Sequence, residues 1–138
     1  MFIDASVIVA ILGNEPGSEE LEKRLASAGG PFFVSPLVKF EASAALARRV
    51  SAHGRPSAEQ VVQAAAVVDA FIEDIEAEEI PISQEIGHLA VLAGGTYGKL
   101  VGHEADLNFG DCFAYACAKA LGTPLLYKGN DFARTDLA

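Results

Sequence analysis

Met1-Phe2-Ile3-Asp4-Ala5-Ser6-Val7-Ile8-Val9-Ala10 decides how the rest of the chain is read. An apolar run too short for a helix meets Asp4, and a second apolar run follows. The first run reads as a buried strand. A carboxylate at its end is poorly solvated and needs a partner. In an open parallel sheet, ligands gather at the carboxyl ends of the strands, so Asp4 is a site candidate on position alone. Asp4 or Ser6 suits equally well a cap on the helix that follows.

Punctuation beyond this stretch is regular. Gly13-Asn14-Glu15-Pro16-Gly17 is a turn cluster. A helix from about Ser18, with Leu21, Leu25 and Ala28 on one face, stops at Gly29-Gly30. Phe32-Phe33-Val34 is a short buried strand. Ser35-Pro36 opens a helix to about Ala52, with Pro at the first helical position, where its missing N–H costs nothing. Ser57-Ala58-Glu59-Gln60 is a capping box for a long helix through Ile75. Ile80-Pro81-Ile82 reads as a brief strand, and Ser83 caps a helix whose end Gly94, Gly95 and Gly98 blur. Gly102 to Leu107 is loop. Asn108 caps a helix closed by Gly122. Pro124 to Tyr127 is a strand, and Lys128 to Asp131 turns into a short last helix. Strands alternating with helices predict an α/β domain with a parallel sheet covered on both faces.

The 138 residues are expected to form one domain, 1–138, large enough for a real core. Ten Lys and Arg against 19 Asp and Glu give a net charge of −9. That argues against binding nucleic acid through a broad basic face. Nucleic acid reached through bound metal ions is still allowed, because the ions reverse the local field. The charge also suits a basic protein partner. Cys112 and Cys117 lack zinc spacing and read as reduced core thiols. No apolar run approaches the ~20 residues of a membrane span, and no signal peptide is evident, so a soluble cytoplasmic setting is expected.

Four acids hold comparable positions. Asp4 ends the first strand, and Glu41 lies in the helix after the second, on a face shared with Leu37, Ala44, Ala45 and Arg48. Asp111 lies in the first turn of the helix capped by Asn108, and Asp131 follows the last strand. Loops leaving parallel strands open on one edge, so these carboxylates can converge. Convergent carboxylates raise one another's pKa. A hard divalent cation is the usual remedy: magnesium takes one or two carboxylates plus phosphate oxygens, and manganese suits similar ligands. Each acid has a plainer reading. Glu41 fits an exposed stripe margin, and Asp111 a residue complementing the helix dipole. Ser6 either orients Asp4 or caps the helix. Phosphate-loop, dinucleotide and nucleophile-elbow motifs are absent. His53, His88 and His103 stand in dissimilar contexts and read as surface or loop residues.

The chain resembles the PIN-domain ribonucleases, and more closely the VapC toxins of type II toxin–antitoxin pairs. The resemblance rests on Phe2-Ile3-Asp4-Ala5-Ser6, the Glu15-Pro16 turn, Glu41 after Ser35-Pro36, and Leu107-Asn108-Phe109-Gly110-Asp111-Cys112-Phe113-Ala114-Tyr115-Ala116. It continues through Pro124-Leu125-Leu126-Tyr127-Lys128-Gly129-Asn130-Asp131-Phe132 to Thr135-Asp136. It implies a three-layer PIN-like fold with a parallel sheet of four or five short strands. It also implies a Mg²⁺-dependent endoribonuclease, with Mn²⁺ as substitute, leaving 5′-phosphate and 3′-hydroxyl ends. Asp4 and Asp111 would be metal ligands, and Glu41 and Asp131 would complete the catalytic acids. Ser6 and Asn130 would position a phosphate or water, and Asp136 would add an outer carboxylate. Arg48, Arg49, Lys128 and Arg134 are the cations expected nearest the RNA or the cleft rim. The implied partners are a VapB-like antitoxin lying in apolar grooves, the RNA substrate, and a second copy in a homodimer. Two departures stand out: His103-Glu104-Ala105-Asp106 replaces a usual His-Pro-Ala, and Gly94-Gly95 loosens a helix. The competing readings are a PIN nuclease on structured DNA and a non-catalytic acidic α/β binding module.

Overall fold

The computed structural model describes residues 1–138. Four two-residue strands form one sheet: β1 (Phe2–Ile3), β2 (Phe33–Val34), β3 (Glu78–Glu79) and β4 (Leu125–Leu126). Their spatial order is β3-β2-β1-β4, and every pairing is parallel. Phe2 is opposite Phe33 on one side and Leu125 on the other. Six α-helices connect and cover the strands: α1 (Ala5–Leu12), α2 (Ser18–Ala28), α3 (Pro36–Val50), α4 (Ala58–Asp74), α5 (Gln84–Tyr97) and α6 (Phe109–Leu121). α5 packs on α6, α3 on α4, and α1 on α2 and α3, while α6 lies against β1 and β4. Phe2, Ile3, Val34 and Leu126 are fully buried, as a parallel sheet between helices requires.

Expected caps are in place. Ser35 accepts from the Val38 N–H at 3.2 Å, and Ser57 and Gln60 close a reciprocal box. Gly29 and Gly122 end α2 and α6 in the left-handed conformation, which costs glycine nothing sterically. Gly94 and Gly95 do not break α5, which runs on to Tyr97. Gly94 lies where a Cβ would just touch the Cys112 sulfur of α6, so a small residue lets these helices approach closely.

Two expected elements differ. The third strand is Glu78–Glu79, not Ile80-Pro81-Ile82. The ladder runs from Glu78 N–H to Phe32 O and from Ile80 N–H to Val34 O, each at 2.9 Å. Pro81 then has no N–H to continue it. The expected short last helix is absent, and residues 128–138 form successive turns. Isolated bonds from Ala133 N–H to Asn130 O and from Thr135 N–H to Phe132 O hold them. The Thr135 hydroxyl also donates to Phe132 O, competing for the carbonyl a helix would need. A 3₁₀ turn spans Lys99–Val101, just after α5. No helix is long and apolar enough to cross a membrane.

Candidate active site

Because every strand runs the same way, the residues leaving β1, β2 and β4 emerge on one edge of the sheet. Asp4 follows β1 directly and is buried. Its N–H donates to Leu126 O at 3.0 Å, tying it to β4. Its Oδ2 accepts from the Ser6 N–H at 2.9 Å and from the Ser6 hydroxyl at 2.5 Å. Asp4 is thus the N-cap of α1 as well as the buried acid at a strand end, so the two readings of this residue are compatible. The Ser6 oxygen accepts in turn from the Lys128 N–H at 3.0 Å, so β1 and the segment after β4 are linked at this point. Burial raises the Asp4 pKa and outweighs the Ser6 bonds that lower it, while Asp131 raises it further.

Asp111 also plays two parts. Its Oδ2 accepts from the Asn108 N–H at 2.8 Å, and its own N–H donates to Asn108 Oδ1 at 3.1 Å. That capping box fixes the carboxylate in the first turn of α6. Burial pushes Asp111 up to about 6, against the Asn108 bond; the charges of Asp4, Asp131 and Asp106 add to it.

Glu41 projects from α3 and is half-buried, with no hydrogen-bond donor on its carboxylate. Its carboxylate lies over Gly110, where any Cβ would collide with it. Burial, then the charges of Asp4 and Asp111, push Glu41 up to about 7. Asp131 is exposed in the turn after β4, and its charge acts on both Asp4 and Asp111. Charge therefore links Glu41 to Asp4 and Asp111, and Asp131 on the solvent side to the same two acids.

The remaining expectations fare differently. Asn130 is exposed beside Asp131, its carbonyl accepting from Ala133. Asp136 accepts from the Tyr115 hydroxyl at 2.7 Å and from Lys119 at 2.8 Å, one and two turns along α6 from Asp111. Those partners lower its pKa, and its charge is not among those acting on Asp4, Glu41 or Asp111. Arg49 and Lys128 both bind Glu15 in the α1–α2 turn, and Arg134 pairs with Glu104. Only Arg48 of the four cations enters no ion pair. The sequence reading missed Asp106, whose charge reaches Asp111, and the part played by Glu15 as a clamp.

No three His, Cys, Asp or Glu side chains lie close enough together to hold an ion by themselves. The donor set still fits magnesium, which takes few carboxylates and keeps waters for the rest. Two backbone-anchored carboxylates and a third with no donor, each raised by burial first and by neighbouring acids second, form a site that a divalent cation would relieve.

Comparison with known proteins identifies the family. The family model of the PIN domain matches residues 1–137. VapC ribonuclease R02377 of Rhizobium meliloti is 52% identical, over 99% of this chain and 98% of the relative. Ribonuclease VapC of Mycolicibacterium smegmatis is 36% identical, over 100% and 98%. The crystal structure of Mycobacterium tuberculosis VapC20, a sarcin-ricin loop cleaving toxin, is 20% identical. It superposes with a TM-score of 0.71 over 99% of this chain and 95% of that one, so the two share a fold. A sheet edge that gathers acids, a family match along nearly the whole chain and a relative at 52% identity agree: the chain belongs to the PIN-domain family, among its VapC ribonucleases.

Proposed function

We propose that this VapC ribonuclease hydrolyses RNA phosphodiester bonds with magnesium held by Asp4 and Asp111, as the toxin of a toxin–antitoxin pair. The observation that carries the reading is convergence: after burial, the charges of Asp4 and Asp111 both act on Glu41, and that of Asp131 acts on Asp4 and Asp111. Acids are gathered at this cost where a cation or a proton transfer is needed. When bound, the ion neutralises charge on the phosphoryl oxygens and lowers the pKa of a bound water, and manganese suits the same ligands.

The chain's own groups have separate parts. Ser6 holds the Asp4 carboxylate in one orientation, and the Asn108 box does the same for Asp111. Glu41, near 7 and without a protein donor, is placed to accept a proton from the attacking water. Asp131 orients water from the solvent side, and Asn130 beside it contacts phosphate. Family resemblance supports 5′-phosphate and 3′-hydroxyl products.

For partners, the supporting feature is an apolar groove of about 600 Å³ between α5 and α6, reaching Asn108 beside Asp111. Val91 (73%), Leu100 (88%) and Phe109 (70%) are exposed there, an apolar face that a partner would cover. It suits the second copy or the VapB-like antitoxin that the family implies.

Asp4→Asn and Asp111→Asn test the site, assayed on RNA and DNA with Mg²⁺. Each should lose cleavage by at least about a hundredfold, more than a lost outer-shell partner costs. Far-UV circular dichroism should be unchanged. Mg²⁺ should raise the melting temperature of the parent at pH 8 and not that of either variant. Wild-type-like cutting by either variant overturns the assignment.

A further inference from the structure

The helix that carries Glu41 also carries, one residue earlier, a phenylalanine that nothing covers. Phe40 is 71% exposed. With Ala44, Arg48, Arg55, Pro56 and Val61 it lines a groove of about 430 Å³. The groove lies between α3, the loop that follows it and the first turns of α4. Phe40, Ala44 and Arg48 are spaced four apart, so they form one stripe along α3. Glu41 lies about 100° round the helix from Phe40 and about 10 Å along the axis from Arg48. One bound strand is long enough to touch both.

The charge pattern of this groove suits a polyanion. Five of the ten cations, Lys39, Arg49, Lys119, Lys128 and Arg134, are held by carboxylates in a chain of net charge −9. Arg48 and Arg55 enter no ion pair, and both are exposed. No acidic residue lines the groove. Two free guanidinium groups beside a flat exposed ring match single-stranded nucleic acid: cations follow the phosphates and the ring stacks a base. An acidic peptide would satisfy the arginines but leave the ring without a stacking partner.

We propose that the Phe40–Arg48–Arg55 groove binds the single-stranded RNA flanking the scissile bond, with a base on Phe40 and phosphates on the two arginines. The proposal rests on the ribonuclease reading above and adds the path by which an acidic protein holds a polyanion.

The chain has no tryptophan, so Phe40→Trp installs a single fluorophore in the groove. Asp4→Asn serves as the non-cleaving background, titrated with an unstructured RNA oligonucleotide. The tryptophan should be quenched as RNA binds. Phe40→Ala should weaken binding about 5- to 100-fold, the range of a lost stacking contact, and leave the salt slope as it is. Arg48→Gln with Arg55→Gln should weaken binding and reduce the slope of log K on log salt by about 1.4, or 0.7 per phosphate contact. All three residues are exposed, and circular dichroism checks that the variants fold. With Asp4 intact, Phe40→Ala should raise KM for RNA. RNA affinity unchanged by either the alanine or the double glutamine variant overturns the groove. So does a tryptophan quenched by poly-glutamate but not by RNA. The two readings fail separately: cleaving wild type with unaffected groove variants removes only the groove, and wild type that leaves RNA intact removes the nuclease assignment.

Discussion

Two partly buried glutamates teach opposite lessons. Glu15 lies in the turn after α1, clamped by Arg49 and Lys128, and its pKa is lowered chiefly by the Lys128 bond. Glu41, on α3, pairs with no cation; burial and the charges of Asp4 and Asp111 raise its pKa to about 7. The Arg49 that binds Glu15 is two turns further along the same helix as Glu41. It rests on Gly13, where a Cβ would collide with its guanidinium. The fold thus has a cation within α3 and uses it to tie down Glu15, leaving Glu41 without one. A charge is neutralised where the chain must be held and left unpaired where chemistry is expected.

The largest effect that would sharpen this contrast comes from Gly110. Gly110→Ala puts a methyl group where the Glu41 carboxylate lies and should displace that carboxylate, with little change in fold. RNA cleavage should fall by about a hundredfold or more, as for a displaced catalytic acid or base. Adding Glu41→Gln to it should cost almost nothing more, a non-additivity that a cycle of the two variants measures.

Next is Glu15→Gln, which unclamps Arg49 and Lys128. These pairs are partly exposed and screened by salt, so the loss at pH 7 is on the order of 1 kcal/mol or less. A carboxylate with a lowered folded pKa stabilises above its unfolded value and loses that contribution as pH falls. The gap between parent and variant in urea should therefore close as the solution is acidified through the carboxylate range. A gap that widens on acidification would break the comparison.

The smallest effect has the opposite sign. Glu41 has a raised folded pKa, so its ionisation works against folding as pH rises from the ordinary 4.5 toward about 7. Without metal, Glu41→Gln should melt about 2 °C higher than the parent at pH 8 and no differently at pH 4. Calorimetry at the two pH values checks it.

Much of this was legible in the chain because local chemistry marks element boundaries. Ser35-Pro36, the Ser57 box, the Asn108 cap and Gly122 lie where the sequence puts them. Strands of two residues carry almost no periodic signal, so the sequence points to Ile80-Pro81-Ile82 where the strand is Glu78–Glu79. The competing readings of Asp4 and Asp111 were unresolved for a simple reason: each residue is a cap and a member of the acidic cluster at once. Long-range pairing was not legible. Glu15 meets Arg49 and Lys128 across 34 and 113 residues, and Asp136 meets Tyr115 and Lys119 across 21 and 17. No local pattern announces such contacts, so neither the Asp136 pairing nor the Glu15 clamp can be read from the sequence.

The terminal strand β3 limits how copies of the chain can associate. An open sheet edge ordinarily invites the matching edge of another molecule. Here both residues of that edge are exposed glutamates. Two copies meeting there would bring like charges together along the shared border. Growth of the sheet from one molecule into the next is discouraged on that side, and self-assembly is steered toward the helical faces.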